Sequence, residues 1–278
     1  MSTKAAPITS LLAHFGLTRH PFSRRTPADA VVHHRGFAEA LARLRFCVEL
    51  DGIAMLVAEA GCGKSLLLGV LADSLQDADW TVHYFAHTST GPFGLINVLA
   101  RQSGLGPRRS RAETAQALLR AWHDDQTNHL LVIDEAHELP DATLEDIRLL
   151  TIGEFDRDSP FLLLLAGHPR LDERLAEPTH HALDQRVTAV ARLAPLGVDE
   201  VRAYVQQRLA AAGLDDRPLL EPDAVDALAD ASAGIPRMIN NLATAALIVA
   251  ASRGRRLVTA QDVRDAQMDR GRSMAVNP

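Results

Sequence analysis

Two short constellations in this chain could do chemistry. The first is Lys64-Ser65, set directly behind the loop Glu59-Ala60-Gly61-Cys62-Gly63 in the stretch IAMLVAEAGCGKS. Glycines in such a loop let backbone N–H groups turn inward around phosphate oxygens. A lysine there reaches terminal phosphates, and a serine hydroxyl there holds Mg2+. The backbone from Glu59 through Ala60, Gly61, Cys62, Gly63, Lys64 and Ser65 to Leu66 is therefore expected to cradle a nucleotide, with Cys62 acting through its backbone alone. The usual leading glycine of this loop is Ala58 here. That position ends the strand and puts no side chain on a phosphate, so the change is mild. The second constellation is Asp134-Glu135, at the end of the apolar run in HLLVIDEAH. A carboxylate pair at the mouth of a parallel sheet suits a metal ligand, Asp134, beside a group that orients and deprotonates water, Glu135.

Positioning these groups takes strands that end where the chemistry begins. Ile53–Ala58 reads as a buried strand, and the apolar helix behind it opens at Lys64, adding the positive end of its dipole. Further strands are expected at Trp80–Phe85, Leu130–Ile133, Phe161–Gly167 and Thr188–Leu193. Between them helices are expected at Gly36–Leu50, Pro92–Gln102, Ala112–Trp122 and Asp141–Glu154, with loops at Thr88–Gly91 and Ser103–Arg111. From Gly197 onward the pattern is helical throughout: a stop at Gly213, a first-turn proline at Pro222, a helix over Arg237–Ser252, and a last helix capped by Thr259 and Asp262. Residues 1 to about 30 hold a hydrophobic group, Phe15, Leu17, Pro21 and Phe22, which prolines and arginines interrupt; an extended arm is expected there.

Composition narrows the function classes. The chain has 278 residues, 47% hydrophobic and 23% charged, enough for a sizeable core. A net charge of -6 argues against a uniformly basic nucleic-acid binder, so any such contact must come from a local patch. Two cysteines, Cys47 and Cys62, make no disulfide framework and fit a reducing compartment. The opening MSTKAAPITSLLAHFG has no secretory-leader pattern, and no apolar run approaches the ~20 residues of a membrane span. A cytoplasmic location and no membrane contact are expected. The pairs His33-His34 and His180-His181 lack partners at metal-ligand spacing, so no zinc site is expected.

The order of motifs carries a family resemblance. The loop at 59–65, DEAH at 134–137, a strand ending Gly167-His168-Pro169, Leu183-Asp-Gln-Arg-Val187 and Gly234-Ile-Pro-Arg-Met-Ile-Asn-Asn-Leu242 resemble the AAA+ ATPases. With Phe15-Gly-Leu17, Pro21-Phe22 and His34-Arg35, the chain is similar to their ExeA-like group, which includes transposition helper ATPases of the TniB, TnsC and IstB kind. The resemblance implies an α/β fold: a three-layer α/β/α P-loop NTPase domain with a parallel sheet, followed by a small all-helical lid. The divisions are an N-terminal arm 1–35, a core 36–195 and a lid 196–278.

The resemblance also implies roles. His168 stands at the sensor-1 position, where these families carry asparagine or glutamine. Arg237 matches the sensor-2 arginine that touches phosphates from the lid. Arg186 is the candidate arginine finger, reaching a neighbouring subunit's nucleotide, with Arg170 and Arg174 as rivals. Arg108, Arg109 and Arg111, in the loop GPRRSR, fall where related transposition ATPases face DNA, and contact there would be salt-sensitive and independent of sequence. Arg253, Arg255 and Arg256 read as a helix C-terminal cap.

The expectation is thus an ATPase that uses ATP and Mg2+, assembles into a ring or filament, and binds double-stranded DNA beside a transposase as a target-selection helper. The rivals are a secretion-assembly ATPase of the ExeA type and a nucleotide-dependent switch with weak hydrolysis. ExeA-type proteins carry a membrane span and a cell-wall-binding region after the ATPase. This sequence reaches Pro278 with neither, which tips the expectation toward the DNA helper.

Overall fold

The computed structural model describes residues 8–23, 31–50, 52–75, 79–86, 92–125, 127–152, 161–214 and 217–275. They belong to two compact units, one of residues 35–194 and one that joins residues 1–34 to 195–278.

The first unit is built on five strands: β1 Ile53–Ala58, β2 Trp80–Phe85, β3 Asn128–Ile133, β4 Leu162–Gly167 and β5 Val187–Leu193. Their order across the sheet is β2-β3-β4-β1-β5, and every neighbouring pair is parallel. β1 and β4 are buried at every position, as continuous apolar strands covered on both faces must be. On one face Met55, Val57, Leu131, Ile133, Leu163 and Leu165 share a core with the helices α4 Pro92–Gln102, α5 Arg111–Asp124, α6 Asp141–Leu150 and α7 Arg170–Leu175. On the other, Ala54, Leu130, Leu162 and Leu164 meet Leu44 and Cys47 of α2 Arg35–Glu49 and Leu71 of α3 Lys64–Leu75. This is the three-layer α/β/α arrangement with a parallel sheet that the alternating strand and helix patterns imply.

Two details depart from the sequence expectations and one lies beyond them. α6 stops at Leu150, where Thr151 Oγ1 donates back to the Arg148 carbonyl at 2.7 Å; of the expected end, residues 153 and 154 lie outside the described residues. Two short helices, α7 and α8 His181–Asp184, and a 3-10 turn at Ala136–Glu138 have too few residues to show a periodicity. The loop expected at Thr88–Gly91 lies outside the described residues.

The second unit is helical: α9 Val198–Ala211, α10 Pro222–Ser232, α11 Pro236–Ser252 and α12 Ala260–Ala275. Thr259 and Asp262 cap α12 reciprocally, Thr259 N donating to Asp262 Oδ2 at 3.0 Å and Asp262 N to Thr259 Oγ1 at 3.3 Å, while Val258 and Val263 are fully buried on either side. Arg253, the C-cap of α11, donates to Asp262 at 2.9 Å, and Arg255 reaches the same carboxylate, which accounts for two arginines of that cluster.

The N-terminal residues correct an expectation. Ile8–Phe15 forms a helix, α1, and the segment behind it is no free arm. Phe15, Leu17 and Phe22 are buried in one core with Val201, Leu209, Leu228 and Leu247. Burying such side chains is worth about 1.5–3 kcal/mol each. Polar clamps fix the backbone: Arg208, 4% exposed, donates to the carbonyls of Pro21 at 2.7 Å and Ser23 at 3.1 Å, and Thr18 N donates to the Ala212 carbonyl at 2.9 Å. The segment lacks a helical period because its apolar residues fill a surface offered by helices far away in sequence.

Candidate functional site

Parallel register brings three strand ends together. β4 lies between β1 and β3, so the loop after β1, the carboxylates after β3 and His168 after β4 open at the same edge of the sheet. Gly61 and Gly63 take φ of 96° and 104°, a conformation closed to most residues, which turns the loop around a hollow. Cys62 N donates to the Glu59 carbonyl at 3.2 Å within that turn, and the Cys62 side chain is buried. Behind it α3 begins at Lys64, and Leu67 N closes the first helical bond to the Gly63 carbonyl. The N–H groups of the opening turn have no partner inside a helix, so they are free for an anion.

Lys64 is 8% exposed, and a buried ammonium must be paired. Its Nζ lies 2.9 Å from Glu135 Oε1 and 3.5 Å from Asp134 Oδ1. Ser65 Oγ faces Asp134 Oδ2 at 3.4 Å. Cation, hydroxyl and two carboxylates thus converge at the mouth of a glycine loop. That donor set fits a nucleotide triphosphate with a divalent cation: amides and lysine for the phosphates, serine and Asp134 for the metal. The metal would supply charge neutralisation at the phosphates.

Asp134 is 4% exposed and held on both oxygens. Oδ1 accepts from the Glu135 N–H at 2.9 Å, and Oδ2 accepts from the Tyr84 hydroxyl at 2.8 Å. Burial first, then the bond to Asp134, pushes the Tyr84 phenol well above its ordinary range, so it remains a donor. Glu135 itself sits in the left-handed region, φ 55° and ψ 35°. A non-glycine residue there costs on the order of 1 kcal/mol, and such strain gathers at functional sites. The turn is pinned from behind, because Arg174 donates to the His137 carbonyl at 2.7 Å and also to Asp141, which accepts from His180 at 3.0 Å. His137 Nδ1 accepts from the His168 N–H at 3.3 Å and lies 3.5 Å from Glu135 Oε2; burial lowers its pKa, against the pull of Glu135 and Glu138.

The other expected residues are placed as follows. His168 Nε2 lies 2.7 Å from Glu59 Oε2, so its ring turns to the phosphate loop. Of the rivals for the arginine finger, Arg174 is engaged on His137 and Asp141, and Arg170 opens α7. Arg186 precedes β5, whose first residue pairs with Ile53 at the start of β1. It therefore sits at the far edge of the sheet, about 20 Å along the strands from the loop of its own chain. Arg237 is exposed in the first turn of α11, in the helical unit. Arg108 and Arg109 are exposed, but Arg111 is the first residue of α5 and its guanidinium pairs with the buried Asp146 of α6. That corrects its place: it belongs to a helix pairing and not to a solvated loop.

Tyr84 and His137 were not legible as site residues, and Arg174, expected as a rival arginine finger, instead pins the turn after β3. Tyr84 pairs in register with Val132, two residues before Asp134, so both side chains lie on one face. The alternation of TVHYF could have flagged it only with the strand order known.

The fold and the site have the arrangement of a P-loop protein, and residues 48–175 match the family described as AAA domain. The chain is 31% identical over 261 residues to the general secretion pathway protein A of Aeromonas hydrophila, an alignment covering 90% of this chain and 46% of that protein. It thus spans less than half the length of that relative. Among solved structures it resembles CDC6P from Pyrobaculum aerophilum, at a TM-score of 0.70 and 20% identity over 88% of this chain and 69% of that one. It also resembles the Thermotoga maritima RuvB Holliday junction branch migration motor, at 0.61 and 18% over 89% and 72%. Drosophila ORC bound to DNA matches at 0.67 and 16% over 96% and 67%. At these identities the likeness is one of fold.

Proposed function

We propose that this chain is an ATPase of the ExeA-like group, which binds ATP with Mg2+ and hydrolyses it as part of an assembly of like subunits. The observation that carries the reading is the meeting of Lys64, Ser65, Asp134 and Glu135 at the open glycine loop. In it Lys64 leaves its carboxylate partners for the terminal phosphates, Ser65 and Asp134 hold the metal, and the freed Glu135 orients and takes a proton from the attacking water. His168, at the tip of β4, addresses the same phosphate. Arg186, remote from its own loop, serves the nucleotide of a neighbouring copy, and Arg237 takes the sensor-2 role. An arginine supplied from a neighbour ties hydrolysis to assembly.

The relative named for the general secretion pathway favours a secretion-assembly role, and the match over most of this chain supports it. The second reading, a helper that binds double-stranded DNA beside a transposase, rests on the exposed Arg108 and Arg109 next to α4. The DNA in a neighbour's structure belongs to that neighbour. Among the described residues no helix is long and apolar enough to cross a membrane, and two free, buried cysteines fit work in a reducing cytosol.

The test is calorimetry and turnover on two variants. Lys64→Ala is expected to abolish the heat of ATP binding in magnesium, and Glu135→Gln to keep it while turnover falls at least about a hundredfold. Absence of ATP binding in the natural sequence, or normal turnover in Glu135→Gln, overturns the reading. ATP-dependent binding of duplex DNA that weakens steeply with salt would favour the DNA helper over the secretion role.

A further inference from the structure

We infer that Tyr84 is a positioning residue for the metal-binding carboxylate: its hydroxyl holds Asp134 Oδ2 toward Ser65 and away from Lys64. The inference rests on the ATPase reading of the same site. Its evidence is the division of labour on Asp134. Oδ1 accepts from the Glu135 N–H at 2.9 Å and faces Lys64 Nζ at 3.5 Å. Oδ2 accepts from Tyr84 at 2.8 Å and lies 3.4 Å from Ser65 Oγ. The carboxylate can rotate, and rotation would put both oxygens within the field of the buried ammonium. A lysine–aspartate pair closed in that way would compete with any divalent cation for the same oxygens. The phenol acts as a stop, supplied from the edge strand β2, where the register with Val132 sets both side chains on one face.

The placement also says why a tyrosine serves. The distance from β2 to the carboxylate is spanned by a rigid ring, with two rotatable bonds to order, and a hydrogen bond to an ionised group is among the stronger ones. Tyr84 is 47% exposed, so it is not a core residue kept for packing. Phenylalanine keeps the ring and removes the stop. Tyr84 touches no phosphate; it acts through Asp134.

The experiment uses the full chain. Binding of a slowly hydrolysed ATP analogue is titrated against Mg2+ for the natural sequence and for Tyr84→Phe, and repeated in EDTA. The Mg2+ concentration at half-saturation is expected to rise about threefold to thirtyfold in Tyr84→Phe, with the affinity measured in EDTA unchanged. Turnover at saturating ATP is expected to fall, with recovery at high Mg2+. A second readout needs no activity. The chain has two tyrosines, so incorporation of 3-fluorotyrosine gives two fluorine resonances, and the one missing in Tyr84→Phe is assigned to Tyr84. That resonance is expected to shift when Mg2+ is added to the analogue complex and to return on chelation. An unmoved resonance together with unchanged Mg2+ dependence overturns the positioning role while leaving the ATPase reading in place. Failure of the natural sequence to bind the analogue at all removes both.

Discussion

His168 Nε2 and Glu59 Oε2 stand 2.7 Å apart, joining the tip of β4 to the first loop residue after β1. The bond exists because β1 and β4 are neighbours, with Val57 opposite Gly167, so the residues just beyond them meet. It places a carboxylate on the ring that is expected to address the last phosphate. A bound triphosphate must then displace Glu59 from His168 and tolerate its charge.

Glu59→Gln tests this. The pair is half-exposed, at 33% and 48%, and such pairs are worth up to about 1 kcal/mol. ATP affinity is expected to rise by up to about fivefold, with ADP affinity changing less, as measured by calorimetry at constant magnesium.

Arg111 behaves unlike its two neighbours. Its guanidinium pairs with Asp146, which is 4% exposed and whose Oδ2 has no hydrogen-bond partner among the described residues. Removing a partner from a buried pair costs 3–5 kcal/mol in the general case, and the 42% exposure of the Arg111 side chain lowers this to about 2 kcal/mol. Arg111→Ala is expected to drop the melting temperature by several degrees, and Arg108→Ala and Arg109→Ala to leave it unchanged, in a calorimetric scan of each variant.

Gly234 is expected to tolerate no side chain. Its φ is +71°, and a Cβ there would lie 2.1 Å from the Leu196 carbonyl oxygen. Gly234 also accepts the Leu196 N–H at 2.9 Å, so the two backbones cannot part without losing that bond. Gly234→Ala is expected to cost more than about 3 kcal/mol in the helical unit, read as a lower urea midpoint for that transition.

Acid is expected to weaken the α/β unit through His83. This buried histidine bonds His129 at 3.1 Å and stacks on Trp122 at 4.6 Å. Burial first, and the nearby His129 second, bring its pKa down from 6.5 to about 4. The folded state therefore binds fewer protons than the unfolded chain between pH 6.5 and 4. The contribution is complete above pH 6.5 and is lost as the pH falls toward 4, by about 3 kcal/mol in all. Melting temperature measured from pH 7 to pH 4.5 should fall accordingly, and less in His83→Gln.

The chemistry was legible in the sequence because it depends on local order. A glycine loop followed by Lys64 and Ser65, and an apolar strand ending in Asp134 and Glu135, are each complete within one strand and its loop. Strand and helix positions followed for the same reason, since burial on both faces writes a continuous apolar run and burial on one face writes a periodic one. Short elements such as α7 and α8 escaped because a few residues hold no period.

What the tertiary structure alone decided is pairing across the chain. Whether Phe15 and Phe22 belong to an arm or to the helical core depends on surfaces almost two hundred residues away. Whether Arg111 faces solvent or Asp146 depends on how α5 meets α6. That Tyr84 holds Asp134, that Glu59 meets His168, and that Arg186 lies far from its own loop all follow from strand order and register. A strand's sequence records which of its residues are buried, but the identity of its neighbour is set by the packing of the whole sheet, and no residue spacing encodes it.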